Sequence, residues 1–266
     1  MTSGKLMLHR GARLVEREEL DRVAAPPPTD TWFPLKHSAV LAAVSETLAG
    51  AGFGIERTEL ALSRGDTRFF GTLTLGNRVT DDCSLTVGIR NSIDKSFPIG
   101  FAVGERVFVC DNLAFSSEIV IARKHTRFGE SRFQEAVAQA VLALPDYQAQ
   151  AADRIQRLQS WELSDDQADA LLLRCFERGL VSVRLLPQCI RAWRQPEYGA
   201  FVPRTGWSLL NSVTGVLKER QQSNPQAAAA QTIALQRLIA PTVAAEPAIV
   251  AGDQAAYGDA AAMSLA

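Results

Sequence analysis

Hydrophobic and polar residues alternate along this chain with two periods, and the change between them divides the sequence. Between about residues 53 and 123, apolar side chains recur at every second position, as at residues 69–75 and 85–89. A period of two is typical of strands that have one face against a core. The pattern therefore predicts a central, mostly antiparallel sheet over about residues 53–123, with its last strand at residues 117–123.

A tight hairpin turn is predicted within this sheet at Val103-Gly104-Glu105-Arg106. Apolar runs at residues 99–103 and 107–110 lie on either side, and glycine next to polar residues is typical of such turns. The turn would bring the polar residues 91–95 and 110–112 to the same end of the sheet.

Helical periodicity flanks and follows the strands. Apolar residues at a spacing of three and four predict helices at about residues 38–49 and through about residues 131–220. Ser164-Asp165-Asp166-Gln167 has the pattern of a capping box, which opens a helix. The predicted fold class is therefore α+β, a central mostly antiparallel sheet flanked and followed by helices.

Three segments are predicted from changes in composition. Residues 1–25 form an N-terminal arm, which ends before the stiff proline run at residues 26–28. Residues 26–220 form a single α+β domain. Residues 221–266 are Ala-rich and are predicted to be a flexible C-terminal tail, although a helix over residues 225–239 is compatible with their composition.

Overall charge and hydropathy narrow the function classes. The 266 residues are 47% hydrophobic with a net charge of −1, so the chain as a whole has no pull toward nucleic acid or anionic lipid. The first 20 residues lack the apolar run of a signal peptide, and no stretch reaches the length of a membrane span. A cytoplasmic protein without membrane contact is predicted.

Polar clusters interrupt the strands between residues 88 and 126, and they carry the candidate chemistry. Cys110 is a candidate nucleophile, with His125 as its base and Asp111 or Asp94 as the residue that orients the base. Alternatively, three residues of this segment and one earlier histidine could hold a metal. The four cysteines have no zinc-site spacing, and the sequence identifies no cofactor. Turn-forming polar residues and a buried structural thiol remain the simpler interpretation. The metal candidates are His37, Asp94, Asp111 and His125.

A second group of candidates lies on the later helices. Between residues 174 and 220 there are eight basic and three acidic residues, interleaved with aromatic side chains as in a groove for single strands. The alternative is solvated helix faces with core aromatics. Trp207, Asn211, Thr214 and Lys218 form one helical stripe, which could be the wet side of the helix or could complete a polar cleft with Arg90.

Several separated motifs resemble one family, the domain of unknown function 932. These are PPPTDTWFPLKH, RFFGTLTL, RNSIDKSFPIGFAVGERVFVCDNLAF, ARKHT and WSLLNSVTGVLK, which occur in this order over roughly residues 26–220. The family occurs in proteins of phages, plasmids and other mobile elements and has no established activity. The resemblance therefore implies a bacterial or phage origin and a role around DNA, but no catalytic residue.

Three functions follow from these patterns. The leading hypothesis is nucleic-acid binding, with single-stranded DNA as the partner, similar in the order of sheet and helices to single-strand annealing proteins. The alternatives are an enzyme that uses the residues 90–126 and a protein–protein interaction module, and the sequence favours neither an enzyme nor any oligomeric state. The residues predicted to bind nucleic acid are Arg90, Asn91, Lys95, Arg123, Lys124, His125, Arg191, Arg194, Trp207, Asn211 and Lys218.

Overall fold

A single sheet forms the centre of the molecule in the computed structural model, which describes residues 12–107, 112–221, 225–239 and 249–251. Its strands lie side by side in chain order. The first six pair antiparallel and a short seventh strand pairs parallel to the sixth, which confirms the mostly antiparallel sheet predicted over about residues 53–123. The first and seventh strands lie outside the predicted range. The strands are β1 (Arg13–Val15), β2 (Ile55–Leu62), β3 (Arg68–Thr80), β4 (Cys83–Ser92), β5 (Ile99–Val107), β6 (Asn112–Arg123) and β7 (Ile249–Ala251).

Helices flank and follow the sheet, so the predicted α+β fold class is confirmed. The helix before β2 and the helices after β6 lie within about two residues of their predicted positions. Across the described residues, none of the helices is long and apolar enough to cross a membrane. The helices are α1 (Arg17–Arg22), α2 (His37–Gly50), α3 (Gly129–Leu142), α4 (Leu144–Ser160), α5 (Asp165–Glu177), α6 (Leu186–Arg194), α7 (Gly206–Gln221) and α8 (Pro225–Ile239).

The main core lies between the sheet and helices α2 to α4. Alternation along the strands places Phe69, Val87 and Phe101 in this core, where they pack with Val44 of α2 and Phe133 of α3. Burial of each such side chain stabilises the fold by about 1.5–3 kcal/mol relative to exposure. The period of two that predicted the strands is thus the period at which their side chains reach the helices.

A second core joins helices α5 to α8. Trp193 of α6 is buried there with residues of the neighbouring helices, and Trp207 packs against both cores. The capping box at the start of α5 is confirmed. The Ser164 hydroxyl accepts a hydrogen bond from the Gln167 backbone (3.2 Å), and the Gln167 side chain accepts one from the Ser164 backbone (2.9 Å).

The predicted hairpin turn at Gly104 is wrong, because β5 runs without interruption through these residues. Gly104 lies opposite Thr86 and Glu105 opposite Leu85 in the middle of the sheet. The polar Glu105 is tolerated there because it accepts hydrogen bonds from Tyr147 and Arg154 of α4. These partners are distant in sequence, so the local pattern resembled a turn.

The continuous β5 also corrects the predicted meeting of residues 91–95 with residues 110–112. Asn112 pairs with Val107, at the end of β5 that is remote from its Gly100–Arg90 pair. Residues 110 and 111 lie outside the described part of the chain. Residues 91–95 instead share their end of the sheet with Arg123, which lies opposite Ile99.

Both predicted peripheral segments contribute to the folded unit. Val15 of β1 and Leu20 of α1 are buried in the main core, and Leu235 and Leu238 of α8 are buried in the second. Residues of the two cores therefore occur both before and after the predicted domain of residues 26–220.

A candidate binding site at one end of the sheet

Four segments meet at the end of the sheet where β4 stops. The register pairs Arg68 with Ser92 and Ile99 with Arg123, so the β2–β3 loop, the β4–β5 loop and the segment after β6 lie together. The segment before α2 joins them, because the Phe33 backbone N–H donates to the His125 carbonyl oxygen (2.9 Å). This end of the sheet holds six of the residues predicted to bind nucleic acid, Arg90, Asn91, Lys95, Arg123, Lys124 and His125.

Asn91 and His37 form the buried base of this site. The Asn91 side-chain Nδ2 donates to the Leu35 carbonyl oxygen (2.8 Å) and to His37 Nδ1 (2.9 Å). His37 Nε2 carries the proton, since it donates to the carbonyl oxygen of Asp66 (3.1 Å). Burial lowers the pKa of His37 to about 4, against the opposing effect of the Asp66 carbonyl, so this ring is neutral at pH 7.

His125 lies near His37 and is buried as well, with 6% of its surface exposed. Its ring makes a T-shaped contact with the ring of Trp32, with ring centroids 6.4 Å apart. Burial lowers the pKa of His125. The backbone carbonyl groups of Phe97 and Phe33 approach the ring closely enough to oppose this effect, although neither reaches hydrogen-bonding geometry with a ring nitrogen. Within the described residues, neither nitrogen of the His125 ring has a hydrogen-bond partner, and the same holds for Trp32 Nε1 and Asn91 Oδ1.

The side chain of Lys95 covers Trp32 at the surface. Its ammonium group lies 4.9 Å from the centre of the indole ring, and its backbone has a positive φ of 66°. The adjacent Asp94 fixes the loop by accepting hydrogen bonds from Arg68 Nε (2.9 Å) and the Ser96 backbone (3.0 Å). Burial raises the pKa of Asp94, but these hydrogen bonds outweigh it and leave the pKa below its ordinary value.

Arg90 lies on the other face of the sheet from Asn91, because neighbouring residues of a strand point to opposite faces. Its side chain crosses Gly100 on β5, where an added Cβ would be 2.6 Å from Arg90 Nε. The guanidinium group then lies 5.4 Å from the centre of the Phe97 ring, which itself packs against Phe70 at 5.5 Å. A glycine at position 100 thus allows an arginine to lie flat across the strands.

The candidates on the later helices do not join this site. Arg194 of α6 pairs with Asp169 of α5 (2.5 Å), and Arg191 is exposed on the same helix. Asn211 of α7 is buried and donates to the Trp207 carbonyl oxygen (3.0 Å), whereas the side chain of Lys218 lies outside the described part. Helix α7 packs against α4, α6, α8 and β6.

The predicted polar cleft between this stripe of α7 and Arg90 with Asn91 is therefore wrong. The amide of Asn91 is bound to Leu35 and His37, and Asn211 and Thr214 of the stripe are buried within the protein. Asn211 and Thr214 do not lie on the wet side of the helix either. Both donate along the helix itself, as where Thr214 donates to the Leu210 carbonyl oxygen (3.0 Å).

The candidate enzyme residues are only partly placed. Cys110 and Asp111 lie outside the described residues, so the predicted nucleophile has no position. No group of three His, Cys, Asp or Glu side chains suited to a metal occurs in the described part of the chain. Two of the described thiols are buried in the second core, and burial raises the pKa of Cys175 to about 11 and of Cys189 to about 12, so both are protonated at pH 7.

Sequence reasoning missed the aromatic side chains at this end of the sheet. Trp32 and Phe97 contact the predicted cations Lys95 and Arg90, and Phe128, just after the ARKHT motif, is 62% exposed. The signal available in the sequence was an aromatic residue directly after Arg127 and the ARKHT motif.

Sequence reasoning also missed a buried ion cluster in the middle of the sheet, which we define as Glu105, Tyr147, Arg154 and Gln236. The Glu105 carboxylate accepts hydrogen bonds from the other three, that from Gln236 Nε2 at 3.3 Å. On the opposite face, Arg106 pairs with Glu59 (2.7 Å). All these charges are paired inside the fold, so the cluster is structural.

Comparison with known proteins gives one match. The family described as Domain of unknown function (DUF932) matches residues 28–239, which is most of the chain. No curated protein and no solved structure matches.

Proposed function

The chain belongs to the DUF932 family, and we propose that it binds single-stranded DNA at the end of the sheet where β4 stops. The observation that carries the proposal is the Lys95 ammonium group on the Trp32 ring. Phe128, three residues after His125 in the segment that follows β6, is exposed as well. Aromatic rings that stack with bases, set among cations that contact phosphates, are what proteins use to bind single strands.

The local charge supports this proposal although the net charge of the chain does not. The segments that meet here expose five basic side chains, compared with the exposed acids Asp30, Asp94 and Glu130. Asp94 is already bound to Arg68, which reduces its repulsion of a phosphate. We name these five residues the basic rim, and they are Lys36, Arg64, Lys95, Lys124 and Arg127.

Three of the residues predicted to bind DNA take a different part in this proposal. Asn91, His125 and Asn211 are buried, so they do not present a surface to phosphates. Lys95 and Lys124 are exposed and belong to the rim. A role in the DNA biology of phages, plasmids or other mobile elements, in the cytoplasm, is the context that we propose, and it is supported by family membership alone.

The test is a titration of the purified chain against a fluorescently labelled oligothymidine, followed by anisotropy between 25 and 400 mM salt. We expect affinity to fall steeply with salt, because binding releases counterions from the strand. The variant K95A/K124A/R127A should bind more weakly and lower the slope of log affinity against log salt by about 2, at about 0.7 per phosphate contact.

The matched control is R174A/R178A/R184A, which removes three exposed arginines from α5 and the α5–α6 connection. It loses the same charge, so an equal effect of both variants would indicate only bulk electrostatics. Loss of binding in this control alone would move the site to the basic helices. The absence of binding at 25 mM salt would overturn the proposal altogether.

A further inference from the structure

Behind Trp32, the structure holds a set of buried polar atoms without partners. They are Trp32 Nε1, Asn91 Oδ1 and both ring nitrogens of His125. Asn91 is fully buried and His125 is more than nine-tenths buried. Buried polar groups in folded proteins are nearly always hydrogen-bonded, because each one that is not has lost its water without compensation. Four such atoms at one end of the sheet therefore require hydrogen-bond partners that the described residues do not supply.

Polar atoms next to these four do have hydrogen-bond partners. Asn91 Nδ2 makes two hydrogen bonds and His37 uses both ring nitrogens, so these groups fix the geometry. The His37–Asn91 contact in particular holds Asn91 in one orientation, which leaves its Oδ1 as an acceptor. The atoms without partners thus belong to side chains that are positioned by others.

We propose that Trp32, Asn91 and His125 form a subsite for one unpaired nucleobase of a bound strand, whose phosphates contact the basic rim. This inference rests on the proposed binding of single-stranded DNA and adds to it the part of the strand that enters the fold. The indole of Trp32 connects the two, since its ring is partly exposed under Lys95 while its Nε1 is buried.

The hydrogen-bonding capacity of the subsite matches the edge of a base. Trp32 Nε1 donates and Asn91 Oδ1 accepts, and a neutral His125 supplies one donor and one acceptor. Every nucleobase presents donors and acceptors side by side on its Watson–Crick edge, which is free in a single strand. Both His37 and His125 are neutral at pH 7, so the subsite suits an uncharged base better than a phosphate.

Lys95 is the group that a neighbouring base of the strand displaces. Its ammonium lies on the face of the Trp32 ring, where that second base would stack, while the first base meets Nε1 in the plane of the ring. The long exposed side chain of Lys95 can then move to a phosphate of the same strand. When a base replaces the Lys95 ammonium group on the Trp32 ring, the base stacks on the ring and the ammonium group neutralises a phosphate of the strand.

The test compares an oligothymidine with a strand of the same length in which abasic spacers replace the bases and the phosphates remain. We expect the unmodified chain to bind the natural strand roughly tenfold more tightly than the abasic strand, the range of one stacked base. His125→Phe and Trp32→Phe should reduce this ratio severalfold, because each keeps an aromatic ring and removes the polar atoms. Lys124→Ala should lower both affinities and keep the ratio.

Each outcome separates the two proposals. If neither strand binds at 25 mM salt, the proposed function fails and the subsite fails with it. If both strands bind equally, or if the ratio is unchanged in folded His125→Phe and Trp32→Phe proteins, the proposed function stands, and the buried atoms are occupied by ordered water only. Circular dichroism of each variant establishes that it is folded before its affinities are compared.

Discussion

Two polar clusters are buried in this protein, and they satisfy their hydrogen bonds in different ways. In the ion cluster, the charges of Glu105 and Arg154 lie against each other in the middle of the sheet, with Tyr147 and Gln236 as further donors. At the end of the sheet, the neutral His125 is buried with both ring nitrogens unbonded among the described residues. One cluster is closed by the fold and the other is left open.

The difference indicates which cluster the fold needs. A buried charge without a partner would cost more than most domains can tolerate, so the ion cluster is complete within the chain. A neutral imidazole or amide costs far less to leave unpaired by the chain, and such groups are completed by ordered water, an ion or a ligand. The open cluster is therefore the functional candidate, and substitutions in the two clusters should have opposite consequences.

The largest effect is expected from Glu105→Ala. It leaves the buried Arg154 without its carboxylate, and we expect the free energy of unfolding to fall by about 3–5 kcal/mol. Urea denaturation followed by circular dichroism measures this. The control is Asp153→Ala, which removes the partner of Arg157 (2.7 Å) from the exposed side of the same helix and should cost about 0–1 kcal/mol. Equal losses would refute the distinction between buried and exposed pairs here.

The pH dependence of stability should come from the open end of the sheet. Between pH 6.5 and 4 the unfolded chain binds a proton on residue 37 that the folded chain does not, since the folded pKa of His37 is about 4. Stability therefore falls as pH is lowered through this window, by about 3 kcal/mol at pH 4 for this group. The lowered pKa of His125 acts in the same direction.

The measurement is urea denaturation at pH 7 and pH 4.5 for the unmodified chain and for His37→Gln, which does not titrate. We expect the variant to lose less stability on acidification than the unmodified chain. Identical losses would mean that His37 is not neutral and buried in the folded protein.

A smaller effect is expected from Gly100→Ala, which tests how closely Arg90 lies on β5. The added Cβ would be 2.6 Å from Arg90 Nε and 2.8 Å from its Cγ, so the side chain must leave its place beside Phe97. Such overpacking costs about 1–3 kcal/mol. At Gly54 nothing lies within 4 Å of an added Cβ, so Gly54→Ala is the control in the same denaturation assay and should be close to neutral.

The smallest effect on stability is expected from His125→Phe, although its effect on base binding should be large. The substitution removes two unbonded nitrogens and no hydrogen bond, so the free energy of unfolding should change by less than about 1 kcal/mol in either direction. A loss comparable with that of Glu105→Ala would show that His125 is a structural residue. The polar atoms at the end of the sheet would then be satisfied within the fold, as those of the ion cluster are.

The sequence predicted those features that depend on neighbouring residues. The strands around Leu73 and Val87, the helix through Val44 and the capping box at Ser164 follow from short-range periodicity and local hydrogen bonds. The fold class followed from the change of period. Burial of one apolar face stabilises each of these elements, and the position of that face can be seen in a short stretch of sequence.

Features that depend on distant partners could not be predicted in this way. Gly104-Glu105 has the composition of a turn, and only Arg154 and Tyr147, more than 40 positions later, make it a strand. The six predicted site residues of the sheet end were placed together by the register of β4, β5 and β6. Their division into buried Asn91 and His125 and exposed Lys95 depends on the packing of the Trp32 segment.

The donors to Glu105 have a consequence for synthesis of the chain on the ribosome. Glu105 is translated 42 residues before Tyr147, 49 before Arg154 and 131 before Gln236. At usual elongation rates the last of these emerges on the order of ten seconds after the strand that needs it. Until then, the Glu105 carboxylate on β5 lacks part of its hydrogen bonding and cannot be buried in a complete core. We therefore expect the nascent sheet to remain accessible to chaperones until α8 has been made.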